Sequence, residues 1–122
     1  MADQYGLFID GKWINTSDTV TNRSPSDVND VIGEYAQANA DQVSMALEAA
    51  SRAVAEWGVS PMESRYQVLM AIGNELIERS GELGELLARE EGKTRAEGVG
   101  EVYRSGQFFH YFAAEVHRQI DD

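Results

Sequence analysis

Leu7-Phe8-Ile9-Asp10-Gly11-Lys12-Trp13-Ile14 is the stretch on which the reading of the fold turns. Two short apolar-rich runs flank Asp10-Gly11, a dipeptide that supplies positive φ at both centres of a type I′ turn, and the spacing predicts a β-hairpin. Outward from it, polar residues 15–18 lead to a short strand over Thr19–Arg23. Ser24-Pro25-Ser26-Asp27 has the composition of a turn, and Val31–Gln37 reads as a third strand. Residues 1–38 are therefore strand-rich.

Residues 39–122 change period and read as helical. Asn39 can cap the first amides of a helix, with Gln42 completing a capping box. Val43, Leu47, Ala50, Val54 and Trp57 then recur every three or four residues as a one-sided stripe, and Gly58 ends it. A second helix starts with Ser60 as cap, Pro61 at the first helical position and Glu63 at the third. Leu69, Ile72 and Leu76, widened by Val68 and Ile77, are its expected buried face, and it ends near Ser80-Gly81. A shorter helix carries Leu83, Leu86 and Leu87 and stops at Gly92. The last, from about Ala96 to Ile120, places Val99, Val102, Phe109, Ala113, Val116 and Ile120 at helical spacing. The chain by itself thus reads as α+β: an N-terminal hairpin and short strands followed by about four helices. So few strands cannot cover four apolar stripes. The helices either pack on one another or clad a sheet that lies outside these residues, and periodicity does not separate the two.

Composition narrows the function. The 122 residues are 43% hydrophobic and contain no cysteine, which excludes disulfides, Cys-based zinc sites and a thiolate nucleophile within this sequence. Acidic side chains outnumber basic ones 21 to 10, for a net charge of −11, and a phosphate-binding surface for nucleic acid needs the opposite. No run approaches the ~20 apolar residues of a membrane span. The opening Met1-Ala2-Asp3-Gln4 lacks the basic and apolar regions of a secretory leader, so the expected location is cytoplasmic, with no nucleic-acid or membrane partner.

Several fragments resemble site motifs and fail on their context. Gly92-Lys93-Thr94 looks like the end of a phosphate-binding loop, but the glycine required five residues earlier is Leu87, within a helix. Gly98-Val99-Gly100 begins a dinucleotide fingerprint whose third glycine would fall at Tyr103, with no strand leading in. His110 and His117 are too far apart for an i, i+4 metal chelate. Glu90 and Glu91 sit at a helix C-terminus, where carboxylates oppose the macrodipole, which points to a partner for one of them. Phe108, Phe109, Tyr111 and Phe112 read first as core packing and alternatively as a groove. Arg104 either meets an anionic group bidentately or pairs with Glu101. No nucleophile–base pair, metal constellation or nucleotide loop emerges from the residues alone.

The order of the motifs resembles the aldehyde dehydrogenase superfamily. Phe8-Ile9-Asp10-Gly11-Lys12-Trp13 is similar to its F-I-N/D-G-x-W opening, and Ser24-Pro25 stands where the family usually has Asn-Pro. Val31-Ile32-Gly33-Glu34-Tyr35-Ala36 resembles the following strand. Asp41-Gln42-Val43 through Ala49-Ala50, with Ala53 to Trp57, is similar to the family's first helix, and Arg65 with Leu69 and Leu76 to its next. Glu90-Glu91-Gly92-Lys93-Thr94 resembles E-x-G-K-P, and Tyr111-Phe112-Ala113 resembles Y-Y-A. The resemblance runs from about residue 7 to residue 120.

That resemblance implies an α/β parent fold with a Rossmann-type cofactor domain. Residues 1–122 would be the N-terminal part of this NAD(P)-binding domain, and the helices would pack on a sheet built from later sequence. It also implies oxidation of an aldehyde, with NAD or NADP as cofactor, through a Cys thiohemiacetal and a thioester. The groups that do this lie downstream of the matched region, so no catalytic or cofactor-binding residue is expected here. A chain without cysteine is expected to be a piece of a longer enzyme and inactive alone. Three further expectations come from the family. Glu90, with backbone carbonyls near Asn22 and Arg23, would bind a monovalent cation, although Ser24 in place of Asn removes an amide from that turn. Gly100, Arg104 and Gln107 would line the entrance of the substrate tunnel, with Arg104 favouring an acidic semialdehyde. The partners would be the aldehyde, the remainder of the polypeptide, and like subunits in a homo-dimer or homo-tetramer. The competing expectations are an autonomous, non-enzymatic helical interaction module, which would hide its apolar stripes, and a degenerate non-catalytic homologue.

Overall fold

The computed structural model describes residues 3–118 of the chain. Two compact units divide it, Met1–Val59 and Ser60–Asp122.

The first unit contains β1 (Gln4–Tyr5), β2 (Leu7–Ile9), β3 (Lys12–Ile14), β4 (Thr19–Arg23), β5 (Val31–Ala36) and α1 (Ala40–Trp57). The predicted hairpin is present: β2 and β3 pair antiparallel, with Phe8 opposite Trp13. Asp10 and Gly11 take φ of 52° and 73°, as a type I′ turn requires. The Phe8 and Trp13 rings lie 5.0 Å apart, the aromatic cross-strand pair that stabilises such ribbons. Arg52 reaches back from α1 to the Asp10 carboxylate at 3.2 Å.

The second sheet has the order β1-β5-β4, with β5 parallel to β1 and antiparallel to β4. Strand β1 has no counterpart in the sequence reading, because two residues carry no periodicity and their pairing partner is some thirty positions away. Ile32 and Gly33 are buried at the centre of the sheet. Tyr5 and Tyr35 stack at 4.8 Å, and a Cβ on Gly33 would lie 2.6 Å from the Tyr5 ring. The expected turn at residues 24–27 is present as a bend at Pro25-Ser26, with Ser24 Oγ accepting the Ser26 N–H at 3.3 Å, and a second turn follows it. Asp27 accepts the Asp30 N–H on its carbonyl and the Asn29 N–H on Oδ1, because an Asp side chain mimics a backbone acceptor in such turns.

Helix α1 begins with the predicted box. Asn39 Oδ1 accepts the Gln42 N–H and Gln42 Oε1 accepts the Asn39 N–H, each at 2.9 Å. It buries none of its residues, and Val43, Leu47, Val54 and Trp57 on the predicted stripe are 48–67% exposed.

The second unit is α2 (Met62–Glu78), α3 (Ser80–Glu91) and α4 (Arg95–Val116). Three expectations shift here. Pro61, not Ser60, stands at the N-cap of α2, and the Ser60 hydroxyl instead accepts a hydrogen bond from Arg65 Nε at 3.0 Å. Ser80-Gly81 lies in the first turn of α3 rather than at the end of α2. The joint is Arg79, whose guanidinium bonds to Glu75 and Glu82 on either side of it. The buried face of α2 centres on Gly73, with Leu69, Leu76 and Ile77 half-buried, whereas Val68 and Ile72 are exposed. Small residues decide this. A Cβ on Gly73 would meet the His110 ring and, at 2.9 Å, the Gly106 carbonyl of α4. Between α3 and α4 the same holds for Gly84 against Val99 and for Gly98 against the Gly84 carbonyl. Helices approach this closely only where a side chain is missing. Ile120, expected on the last stripe, lies outside the described residues.

Candidate functional site

Helix α4 is set by a capping box in which Thr94 accepts the Glu97 N–H and Glu97 bonds back to the Thr94 N–H at 3.0 Å. The Thr-Arg-Ala-Glu spacing is a capping-box signature that the sequence analysis, which read Thr94 within the Gly92-Lys93-Thr94 and E-x-G-K-P motifs, did not use. Hydrogen bonds from the Thr94 hydroxyl and backbone, with the nearby Lys93 charge, hold the Glu97 carboxyl below the usual carboxylate range. Gly92 closes α3 with φ 73°, and its N–H donates to the Ala88 carbonyl. The Gly92-Lys93-Thr94 segment is therefore a helix-to-helix junction.

With Gly98, Val102, Gly106 and Ala113 buried inward, α4 turns Gly100, Arg104, Gln107, Phe108, Tyr111 and Phe112 outward. The three aromatics are 57–58% exposed, so of the cluster read as core packing only Phe109 and the body of the helix serve that role. Arg104, Gln107, Phe108, Tyr111 and Phe112 line a concavity of about 390 Å³. A second, of about 400 Å³, shares Arg104 and Phe108 and extends to Gly100 and Ser105. The Tyr111 and Phe112 rings meet edge to face at 5.3 Å.

Glu101, the local partner open to Arg104, is taken by Lys93, whose Nζ lies 2.7 Å from Glu101 Oε1 and also meets Glu91. These carboxylates raise the Lys93 pKa, Glu101 most strongly. Arg104 makes no ion pair among the described residues. An unpaired guanidinium beside an aromatic wall can receive an anion that carries an apolar body.

The remaining candidates are placed as follows. Glu90 is exposed in the last turn of α3, and its neighbour Glu91 answers to Lys93. Asn22 and Arg23 lie on β4 in the other unit, where the register against β5 slips between them, and Arg23 donates to the Val28 carbonyl at 3.1 Å. Among the described residues no group of three or more His, Asp or Glu side chains is gathered to hold a metal. His110 Nε2 sits 2.9 Å from Asn74 Oδ1 across the α2–α4 contact, and His117 packs on Tyr66. His117 Nε2 also lies 4.0 Å from a Glu63 carboxylate oxygen. No helix among the described residues is long and apolar enough to cross a membrane.

Comparison with known proteins identifies the family of this chain. The aldehyde dehydrogenase family profile matches residues 13–122. The alpha-ketoglutarate semialdehyde dehydrogenase of Haloferax volcanii is 34% identical over 95% of this chain and 24% of its own length. The NADP(+) succinate-semialdehyde dehydrogenase of Escherichia coli K12 is 29% identical over 93% of this chain and 24% of its own length. A Thermus 1-pyrroline-5-carboxylate dehydrogenase solved with bound NAD superposes with a TM-score of 0.84 at 32% identity, over 93% of this chain and 22% of that one. The chain thus spans about a quarter of the length of the curated relatives it matches. Its α+β arrangement of short strands and four helices is shared with these aldehyde dehydrogenase structures. By a match that covers most of its residues, in the order that the fold requires, this chain belongs to the aldehyde dehydrogenase family.

Proposed function

We propose that residues 1–122 form the N-terminal part of the NAD(P)-binding domain of an enzyme that oxidises an acidic semialdehyde to a dicarboxylate. In this reading the parent fold is α/β with a Rossmann-type cofactor domain. NAD or NADP takes the hydride, a cysteine outside this sequence takes the aldehyde, and these residues alone do not turn over substrate. The observation that carries the substrate class is Arg104. It is exposed, has no ion-pair partner among the described residues, and sits at an apolar concavity of α4 beside Gln107. The names of the semialdehyde dehydrogenases above point the same way. The exposed stripe of α1 favours a piece of a larger domain over an autonomous helical module, which would cover it.

Two companion assignments belong to this proposal. Glu90, placed where a carboxylate opposes the α3 dipole, would serve a monovalent cation in the assembled enzyme. The assembled enzyme would be a cytoplasmic homo-dimer or homo-tetramer, drawing on the intracellular nicotinamide pool.

The test is Arg104→Ala in the full-length enzyme. Loss of a charge-assisted hydrogen bond predicts a fall in kcat/KM of about 10- to 100-fold for succinate semialdehyde, with little change for a neutral aldehyde of similar length. An unchanged preference for acidic over neutral aldehydes overturns the substrate assignment.

A further inference from the structure

Asp10-Gly11, at the tip of the β2–β3 hairpin, is the one place in the sequence where an aspartate or asparagine precedes glycine. Asp18, Asp27 and Asp30 precede β-branched residues, whose bulk hinders the following amide, and Asp3 and Asp41 precede glutamine. Glycine leaves its amide nitrogen unshielded and its backbone free to turn toward the preceding side chain. The ladder pairs Ile9 with Lys12, so the Gly11 amide lies outside the paired residues. The Asp10 side chain is 63% exposed, and a Cβ on Gly11 would meet nothing within 4 Å, so water reaches both groups.

These are the requirements of a cyclisation. The Gly11 nitrogen adds to the uncharged Asp10 carboxyl at Cγ. The N–Cγ bond forms, and the carboxyl hydroxyl leaves with the amide proton as water. A second water then opens the succinimide. Cleavage of the N–Cγ bond restores aspartate. Cleavage between the nitrogen and the Asp10 main-chain carbonyl carbon leaves isoaspartate, with the chain running through the side chain and no net change in mass. One group opposes this course. Arg52 of α1 lies 3.2 Å from Asp10 Oδ2, and the reacting group is the uncharged acid, so the ion pair must break first. We propose that Asp10-Gly11 is a site of spontaneous modification, an isoaspartate-forming turn whose rate is restrained by the ion pair with Arg52. The methylene added to the main chain lengthens a two-residue turn that fixes the register of Phe8 with Trp13.

The experiment ages the full-length enzyme at neutral pH and physiological temperature. The tryptic peptide ending at Lys12 is then read by electron-transfer fragmentation, which tells isoaspartate from aspartate. Isoaspartate is expected at Asp10 and not at Asp3 of the same peptide. Arg52→Ala is expected to raise the first-order rate about threefold, the scale on which an exposed ion pair biases a side chain, and Arg52→Lys to return it toward the parental value. Asp10→Asn, whose amide closes the same ring with loss of ammonia, is expected to convert to a mixture of aspartate and isoaspartate, which reports ring closure without the ion pair. Isoaspartate no more abundant at Asp10 than at Asp3 overturns the proposal, as does an Asp10→Asn turn that keeps its amide. Equal rates in the parent and Arg52→Ala overturn the restraint assigned to Arg52.

Discussion

In Ser60–Asp122 the helices touch where their side chains are smallest, at Gly73 with Gly106 and at Gly84 with Gly98. In Met1–Val59 the 18-residue α1 buries nothing, and order comes from the strand ladders, the Asp10-Gly11 turn and the Asn39 box. One unit is closed by close contact between helix backbones and the other by strand ladders and local turns. The contrast shows that amphipathic periodicity marks a face without saying what covers it. The α1 stripe is regular and uncovered, whereas α2 and α3 meet α4 on faces centred on glycines that a hydropathy pattern hardly registers. Under the proposal that this chain is part of a larger domain, α1 is the element whose covering surface belongs to the remaining sequence.

The largest expected effect tests that contrast directly. Gly98→Ala sets a methyl against the Gly84 carbonyl, with no flexible group to yield, and should cost about 3 kcal/mol as the α3 and α4 backbones part. Gly33→Ala in the first unit meets the edge of the Tyr5 ring, which can turn aside, and should cost only about 1 kcal/mol. Denaturant midpoints at unchanged m-value read both, and equal losses would break the distinction. Truncation sharpens it next. Val102 is 9% exposed and Val54 66%, so Val102→Ala should cost about 2 kcal/mol and Val54→Ala almost nothing, the alanine being also the better helix former. A comparable loss at both sites would mean that α1 is packed in solution.

The same division explains what the sequence could disclose. Asp10-Gly11, Asn39 with Gln42, and Gly92 act through bonds to residues two to four positions away, and each was readable with its mechanism. Strand β1 and the turn at Asp27–Asp30 depend on which of several local acceptors and distant strands wins, a choice settled only by the assembled sheet. The inward face of α2 was misjudged at Val68 and Ile72 because close approach at Gly73 rotates the contact away from the bulkiest residues. At the candidate site, the spacing of Gly100, Arg104 and Gln107 places them on one side of a helix. Release of Arg104 from Glu101 was not legible, since it depends on Lys93, eight positions before Glu101 and across a helix junction.

The two capping boxes offer the finest form of the comparison. Both use the same pair of reciprocal bonds, but the Asn39 box closes with the neutral amide of Gln42 and the Thr94 box with the carboxylate of Glu97. Glu97 has its pKa lowered from an ordinary 4.5, chiefly by the bonds from Thr94. A pKa depressed in the folded state means that the ionised form stabilises the fold above the ordinary carboxylate range, and that this contribution disappears as pH falls through the lowered value. Glu97→Gln keeps the reach of the side chain and removes the charge. The thermal midpoint of the parent should therefore exceed that of Glu97→Gln near neutrality, and the gap should close in acid. Gln42→Glu should install the mirror behaviour at α1, a gain near neutrality that acid removes, since a carboxylate near a helix N-terminus is favoured there as well. A gap independent of pH in both variants would show that the boxes act through geometry alone, and the charge on Glu97 would then have no part in setting the start of α4.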